Sequence, residues 1–211
     1  MSKINTDAVT FIGERLCLNF ANTASWHNRE QPIERLINYE TLVYWSKQME
    51  IITLSQEKHL LEQAEISPHQ AEKALANAIE LREAIFRLFK AVATGQQGNS
   101  LDLAILNKYV NQAYSLVEIT PKNRGYAFTF YKGQQEMNCM LWPIVQSAVN
   151  LLLSEDINRV KLCEGEPCGV LFCDVSRNKS RRWCSMEDCG NRAKAQRHYK
   201  KKISQKQLPK A

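Results

Sequence analysis

The hydrophobic pattern of the first 155 residues is mainly that of α-helices. Between residues 71 and 92, apolar side chains recur at steps of three and four, the spacing that puts them on one face of a long helix. Ser67 can cap the start of this helix, Pro68 suits its first turn, and Gln70 completes a capping box. Further helices are predicted over residues 39–49, 56–64, 101–116 and 137–153, with Pro143 either kinking the last helix or lying in its first turn.

Two short stretches have the alternating pattern of a β-strand. In RLCLNFAN, residues 15–22, the apolar residues Leu16, Leu18 and Phe20 alternate with other positions. The second stretch, YAFTFY at residues 126–131, follows the turn signal PKNRG. The predicted fold class is therefore mostly α with small β elements (α+β).

The helical part contains no recognisable catalytic motif. It has no glycine-rich phosphate loop, no nucleophile elbow and no helical His-Glu pair of the metalloprotease type. The loop SWHNRE at residues 25–30 either lines a small-molecule pocket or is a surface loop anchored by its tryptophan. The isolated residues of chemical interest are predicted to be polar surface residues (His27, His59 and His69) or small buried residues (Cys17 and Cys139).

The charge of the chain is unevenly distributed. Residues 157–211 contain 14 Lys and Arg against 5 Asp and Glu, a net charge of +9. Residues 1–156 contain 14 basic and 17 acidic residues, a net charge of −3. A basic block of this kind is typical of proteins that bind a polyanion, most often nucleic acid. The alternative, a solvated tail, fits residues 206–211 but not the preceding part, where cysteines and aromatic residues lie between the bases.

The sequence also indicates a compartment. The N-terminal stretch MSKINTDAVT lacks the apolar core of a signal peptide, and the longest apolar stretch, MLWPIVQSAVNLLL, is interrupted by proline and polar residues. We therefore expect a cytoplasmic protein without a membrane span. In a reducing compartment, seven cysteines indicate metal binding or buried thiols before disulfides.

Four of the cysteines have the spacing of a zinc site. Cys163 and Cys168 form one pair with four residues between them, Cys184 and Cys189 form a second pair with the same gap, and 15 residues separate the pairs. Two such pairs can supply the four thiolates of a tetrahedral zinc ion. The sequence thus predicts one structural Zn²⁺ per chain, which leaves no open position for a catalytic water.

Two other residues are possible ligands, and both are predicted to lie outside the site. Cys173 lies in the stretch VLFCDVS, whose alternation puts it on an apolar strand face with Leu171. His198 lies more than two helical turns beyond Cys189. The predicted layout is treble-clef-like, with a knuckle, a hairpin whose second strand is RRWC, and a helix that starts near Cys189. A piece this small has little core of its own, so the metal is expected to supply much of its folding energy.

These motifs resemble those of a known family. The C-terminal part resembles CGNR zinc-finger proteins through its cysteine pairs, the stretch SRNKSRRWC and the CGNR sequence at residues 189–192. The preceding part resembles the companion ABATE domain through GERLCLNFANT (13–23), LREAIFRLFKAVATG (81–95) and LWPIVQSAV (141–149). The resemblance implies a helical sensor domain over residues 1–155 and a zinc finger with a basic helix and tail over residues 156–211.

The same resemblance implies a function. CGNR proteins with an ABATE domain are bacterial transcription regulators, so the leading hypothesis is a DNA-binding zinc finger joined to a helical domain that senses a small-molecule effector or a stress signal. The alternative is a zinc-stabilised module that binds RNA or protein and lacks sequence-specific DNA binding. No enzymatic activity is expected, since a zinc ion with four thiolate ligands is structural.

The basic helix after Cys189 is predicted to have two faces. At 100° per residue, Ala195, Tyr199 and Ile203 lie on the same side as Arg192. Arg192 is therefore predicted to point inward as a structural residue that bonds knuckle carbonyls or a carboxylate such as Asp174, with Asn191 as the helix cap. The opposite face and the hairpin are predicted to contact DNA through Lys194, Arg197, Lys201, Arg177, Lys179, Arg181 and Arg182.

Overall fold

The computed structural model describes residues 13–130 and 136–206, with only the backbone at residues 200, 201 and 204–206. Within these ranges the chain forms seven α-helices and six short strands, so the predicted fold class is confirmed. The helices are α1 (Leu16–Ala21), α2 (Tyr39–Gln48), α3 (Leu54–Ile66), α4 (Pro68–Ala93), α5 (Ser100–Ser115), α6 (Leu141–Leu152) and α7 (Asn191–Lys206). The strands are β1 (Ala24–Ser25), β2 (Ile33–Glu34), β3 (Glu118–Lys122), β4 (Gly125–Thr129), β5 (Val160–Leu162) and β6 (Leu171–Cys173), which form three separate antiparallel pairs in chain order.

Helix α4 is the centre of the helical unit. Its buried side chains include six of the seven residues of the predicted stripe, namely Ala71, Ala74, Ala78, Leu81, Ile85 and Leu88. The seventh, Val92, is half-buried. Helices α1, α2, α3 and α5 pack directly against it, and α6 packs against α1 and α5. Pro68 occupies its first turn as predicted, but Ser67 makes no side-chain cap bond, so the predicted capping box is not formed.

The other predicted helices are present with shifted ends. Helices α2, α3 and α5 cover the patterns at 39–49, 56–64 and 101–116. Helix α6 begins only at Leu141, which places Pro143 in its first turn, where a missing N–H costs nothing. Strand β4 ends at Thr129, and residue 131 of the predicted strand lies outside the described residues. No helix in the described ranges is long and apolar enough to span a membrane.

The strand predicted over residues 15–22 is wrong, because this stretch forms α1. Five of its six helical residues, Cys17 to Ala21, are buried. The helix contacts α4, α6 and β6, so it is covered on several sides. A short segment that is buried all round carries no helical period in its sequence, and an apolar run of this length cannot be assigned by pattern alone.

Strand β6 joins the helical unit to the cysteine-rich part. Leu171 and Cys173 belong to the main hydrophobic core, whereas Phe172 packs with the four-cysteine cluster. The predicted alternation of faces is therefore observed. The predicted hairpin is not, since β6 pairs with β5 and residues 181–184 form no strand. In the described part of the chain, only one backbone hydrogen bond joins residues 181–184 to the turn between Cys163 and Cys168, which we call the knuckle. It runs from the Glu164 N–H to the Arg182 carbonyl.

The outer edge of β6 is bonded to the segment around α1. The side-chain amide of Asn22 donates to the carbonyl of Leu171 at 2.8 Å and accepts from its N–H at 3.0 Å. The N–H of Cys173 donates to the carbonyl of Gly13 at 3.2 Å. These bonds satisfy backbone groups that an edge strand would otherwise leave unpaired inside the protein.

An ion pair between a buried arginine and two partly exposed carboxylates ties the β1–β2 sheet to α4. Arg82 is almost fully buried, and its guanidinium donates to both carboxylate oxygens of Glu34 at 2.6 and 2.7 Å. It also donates to Glu83 at 2.8 and 3.0 Å. Because a buried guanidinium is stable only when its donors are paired, this geometry fixes the position of the sheet on the helix.

Candidate zinc site and basic surface

The four predicted ligands form one buried cluster. The sulfur atoms of Cys163, Cys168, Cys184 and Cys189 all lie within 4.8 Å of one another. The Cys184 sulfur is 3.6 Å from both the Cys168 and the Cys189 sulfur. A tetrahedral zinc ion with Zn–S bonds of about 2.3 Å requires sulfur atoms about 3.8 Å apart, so the cluster fits one structural zinc. None of the seven cysteines forms a disulfide.

The first ligand pair lies in a tight knuckle. The N–H of Cys168 donates to the carbonyl of Gly165 at 2.6 Å, which closes the turn between the two cysteines. A Cβ atom at Gly165 would lie 2.8 Å from the Cβ of Cys189 and 3.1 Å from its sulfur. Glycine is therefore required at this position for the two pairs to approach each other.

The second ligand pair lies at the start of the basic helix. Ser185 caps the turn Met186–Gly190 by accepting a bond from the Asp188 N–H at 3.2 Å, and α7 follows directly. The N–H of Cys184 points to the Cys163 sulfur at 3.3 Å. Hydrogen bonds from the Cys168 and Cys184 thiols lower the pKa of Cys163, and the same contacts raise the pKa of Cys168 and Cys184, so these three thiols titrate as one group.

The two rival ligands lie elsewhere. Cys173 is packed in the main core, where burial raises the pKa of its thiol. His198 is an exposed residue of α7 and is not part of the cluster.

Arg192 and Asn191 have contacts that differ from the predicted ones. The Arg192 guanidinium donates to the Cys189 sulfur at 2.9 Å and lies 5.0 Å from the centre of the Trp26 ring. It does not contact Asp174 in the described structure. The Asn191 amide donates to the Glu187 carbonyl at 2.9 Å. Arg192 is half-buried, as the inward orientation required.

Asp174 is the centre of the turn that follows β6. Its fully buried carboxylate accepts from Lys161 at 2.7 Å, from the Ser176 hydroxyl and from the Arg181 N–H at 2.9 Å. Burial disfavours the charged form, but these bonds dominate and hold the pKa of Asp174 well below its usual range. The turn therefore depends on one ionised carboxylate.

Two arginines of the stretch that returns to the second cysteine pair have partners within the protein. The Arg181 guanidinium donates to the carbonyls of Trp183 and Cys184 and to the Glu14 carboxylate, and it stacks 4.5 Å from the Phe172 ring centre. Arg182 is more exposed and donates to Glu164 at 2.7 Å.

The remaining predicted DNA contacts are exposed bases. Arg177 and Lys179 lie in the turn after β6, and Lys194 and Arg197 lie on α7. No carboxylate is within ion-pair distance of these four side chains in the described part of the chain. The side chain of Lys201 lies outside the described residues.

The apolar side of α7 is not packed against the protein. The prediction that Ala195, Tyr199 and Ile203 point inward with Arg192 is wrong, because Ala195 is exposed and the other two are 66% and 39% exposed. Among the described side chains of α7, only Arg192 and Ala193, in the first turn, are half-buried. The helix therefore leaves the body after its first turn, and its later apolar residues have no core to join.

The loop at residues 25–30 is a contact between the two parts of the chain. Trp26 packs against the four-cysteine cluster. The His27 ring stacks on Phe86 of α4 with centroids 3.6 Å apart, and its side chain is only 6% exposed, so its prediction as a surface residue is wrong. The sequence does not predict the burial of His27 or the contact of Trp26 with the cysteine cluster, because both depend on segments that are distant along the chain.

A surface groove lies on another side of the helical unit. It has a volume of about 490 Å³ and lies between α1, α6 and the turn Glu155–Arg159. Its polar lining includes Arg15, Gln146, Asn150 and Asp156, of which the first and last form an ion pair at 2.6 Å.

Comparison with known families agrees with the motifs. A family profile described as "CGNR zinc finger" matches residues 159–202. The ABATE profile, described as "Putative stress-induced transcription regulator", matches residues 14–155. The resemblance indicated by the sequence is thereby confirmed, and neither profile is that of an enzyme family. No curated protein matches the chain.

Proposed function

Because the chain belongs to the ABATE family and ends in a CGNR zinc finger, we propose that it is a cytoplasmic DNA-binding transcription regulator. In this proposal the zinc finger over residues 156–211 binds DNA, and the helical domain over residues 1–155 senses a small molecule or a stress signal. The zinc ion is structural and holds the start of α7 against the knuckle.

One observation carries the DNA-binding proposal. Arg177, Lys179, Lys194 and Arg197 are exposed and lack carboxylate partners among the described residues, although the chain contains 22 acidic residues. Bases that the protein does not neutralise are available to phosphates, whose contacts provide most of the affinity for DNA. The zinc-bound start of α7 presents two of these bases on a helix, the element that fits the major groove.

The contacts refine the set of proposed DNA-binding residues. Arg177, Lys179, Lys194 and Arg197 are the strongest candidates, and Lys201 extends the α7 series by sequence. Arg182 can reach DNA only by giving up Glu164, and Arg181 is engaged with two carbonyls and Glu14. We therefore expect Arg181 to act on the position of the knuckle and not as a phosphate contact.

Selection of bound sequences from random DNA tests the proposal. Enrichment of one sequence motif supports a regulator. Lys194→Gln and Arg197→Gln should weaken binding and each reduce the slope of log affinity against log salt by about 0.9. Lys58→Gln, an exposed lysine on α3, is the control and should leave the slope unchanged. If the slope is unchanged in both Lys194→Gln and Arg197→Gln, the exposed bases of α7 do not contact DNA phosphates.

We place the effector site in the groove between α1 and α6. The groove has a volume of about 490 Å³ and a lining that includes polar side chains, and α1 is bonded to β6 of the zinc-binding part. If a ligand binds there and regulates DNA binding, DNA must change ligand affinity by the same factor that ligand changes DNA affinity. Titration of each with and without the other, in wild type and in Gln146→Ala, measures that factor.

A second function has an observation of its own. The β3–β4 sheet exposes Ile119, Tyr126 and Phe128 on the same face, and Tyr126 is 79% exposed. Exposed apolar faces of this kind are typical of protein-interaction surfaces. The chain would then be a zinc-stabilised module that binds protein or RNA. Equal affinity for all DNA sequences in the selection, with tighter binding to RNA or a protein, would favour this function.

A further inference from the structure

The Arg192 guanidinium occupies a position between a zinc ligand and the helical unit. One of its terminal nitrogens is 2.9 Å from the Cys189 sulfur. The guanidinium carbon is 5.0 Å from the Trp26 ring centre, within the range of a cation–π contact. Its Nε is buried and has no hydrogen-bond partner among the described residues. Arg192 is thus held by one sulfur and one aromatic ring.

Trp26 is itself fixed by its neighbours. The Arg29 guanidinium lies 4.5 Å from the same ring, and the Arg29 N–H bonds the Trp26 carbonyl at 2.8 Å. Trp26 has a φ of 62°, in the left-handed region that costs a residue with a Cβ about 1–2 kcal/mol. Such a conformation persists where the surroundings over-determine it.

The residues after Trp26 provide those surroundings. His27 is stacked on Phe86 of α4, in the helical core. Asn28 lies against Gly169 of the knuckle, where a Cβ would come within 3.0 Å of the Asn28 backbone nitrogen. Three consecutive residues therefore contact the basic helix, α4 and the knuckle.

The charge of the zinc site explains why an arginine is placed there. Four thiolates and one Zn²⁺ carry net negative charge, which a hydrogen bond from a cation offsets. A guanidinium that donates to a zinc-bound thiolate withdraws electron density from the sulfur and reduces its nucleophilicity. The exposed Lys194 makes no sulfur contact and cannot do this.

We propose that Arg192 and Trp26 are positioning residues of the zinc site, in which the helical unit, through the Trp26 ring, holds the Arg192 guanidinium on the Cys189 thiolate. The zinc finger is then completed by a residue more than 130 positions before its first ligand. Reactivity at Cys189 depends on the helical unit even though every metal ligand lies in the C-terminal part.

The test is the alkylation rate of individual cysteines in the zinc-loaded full chain. Iodoacetamide is the probe, and peptide mass spectrometry gives the rate at Cys189 relative to Cys163 in the same molecule. Arg192→Gln should raise this ratio about tenfold, the expected effect of losing a hydrogen bond from a charged donor. Lys194→Gln removes the same charge from the same helix without a sulfur contact and should leave the ratio unchanged.

The Trp26 variants separate positioning from general packing. Trp26→Leu should raise the ratio about threefold, because the guanidinium loses its aromatic platform. Trp26→Phe keeps a π face and should restore the wild-type ratio. Equal ratios in Arg192→Gln and Lys194→Gln overturn the proposal. If Arg192→Gln fails to hold zinc, the Trp26 pair decides, and equal ratios in the Leu and Phe variants overturn it. No DNA is involved, so the outcome is separate from the test of the regulator.

Discussion

The two hydrogen bonds between Asn22 and Leu171 allow a sharp prediction about how the two parts of the chain are joined. Asn22→Ala removes both bonds, of 2.8 and 3.0 Å, and leaves the N–H and the carbonyl of Leu171 without partners. Leu171 is fully buried and Asn22 is half-buried, so water has restricted access to the two groups that the amide leaves. Each unsatisfied buried group costs about 1–3 kcal/mol, so we expect the free energy of unfolding to fall by at least about 2 kcal/mol.

Urea unfolding of the zinc-loaded protein, followed by circular dichroism, measures this change. Asn158→Ala is the control, since Asn158 is exposed and its amide makes only a 3.4 Å contact to the Glu155 carbonyl. Asn22→Asp keeps an acceptor for the Leu171 N–H but turns a carboxylate oxygen toward the Leu171 carbonyl, so it should be at least as destabilising as Asn22→Ala. An Asn22→Ala protein within about 0.5 kcal/mol of the control would refute the reasoning.

Four further predictions concern the metal and the buried charges. Metal analysis should find one zinc per chain, lost in Cys189→Ser and retained in Cys173→Ser, because only the first sulfur lies in the cluster. Arg82→Met should destabilise the protein by about 1–3 kcal/mol in urea unfolding, since it removes the hydrogen bonds of two partly exposed carboxylates. Lys108→Met at an exposed pair should cost at most about 1 kcal/mol. Contacts with His27 and Arg82 lower the pKa of Glu83 from 4.5 to about 2, although burial acts in the opposite direction. The contribution of the Glu83 carboxylate to stability is therefore complete above pH 4.5 and is lost as the pH falls toward 2. Between pH 4.5 and pH 2, the wild-type protein should lose more free energy of unfolding than Glu83→Gln. A zinc chelator should lower one common thermal transition of the whole chain, and two separated transitions in calorimetry would contradict the shared core.

Two features could be predicted from the sequence because each depends on a regular spacing within one segment of the chain. The α4 stripe repeats often enough for its period to be unambiguous, and the buried positions follow it. The spacing of the cysteines predicts a shared metal site, since two pairs joined by a short connection can bind one tetrahedral ion. Cys173 was excluded by the strand alternation, which the opposite faces of Leu171 and Phe172 show.

The failures have a common physical origin in contacts between distant segments. Helix α1 is buried on several sides, which erases the period that would identify it. Arg181 looks like a DNA-contacting base until Glu14, 167 positions earlier, is placed beside it. The inward orientation of Tyr199 assumed that a body lies under the whole of α7, and helical phase alone cannot show where the body ends.

The boundary between the two family matches is therefore crossed by packing contacts, and we predict that the two parts unfold together. The matches separate residues 14–155 from 159–202, but β6 contributes Leu171 and Cys173 to the core of the first part and Phe172 to the cysteine cluster of the second. Zinc that binds only the folded chain stabilises every part of the chain that unfolds together with the zinc site. Because β6 belongs to both cores, zinc binding should also stabilise the helical core. The converse also holds. A displacement of α1 must either break the Asn22 bonds or move β6 with it, and β6 follows the knuckle after only a few residues. The Asn22 bonds are thus one physical connection by which a ligand beside α1 could change the position of the zinc-binding part.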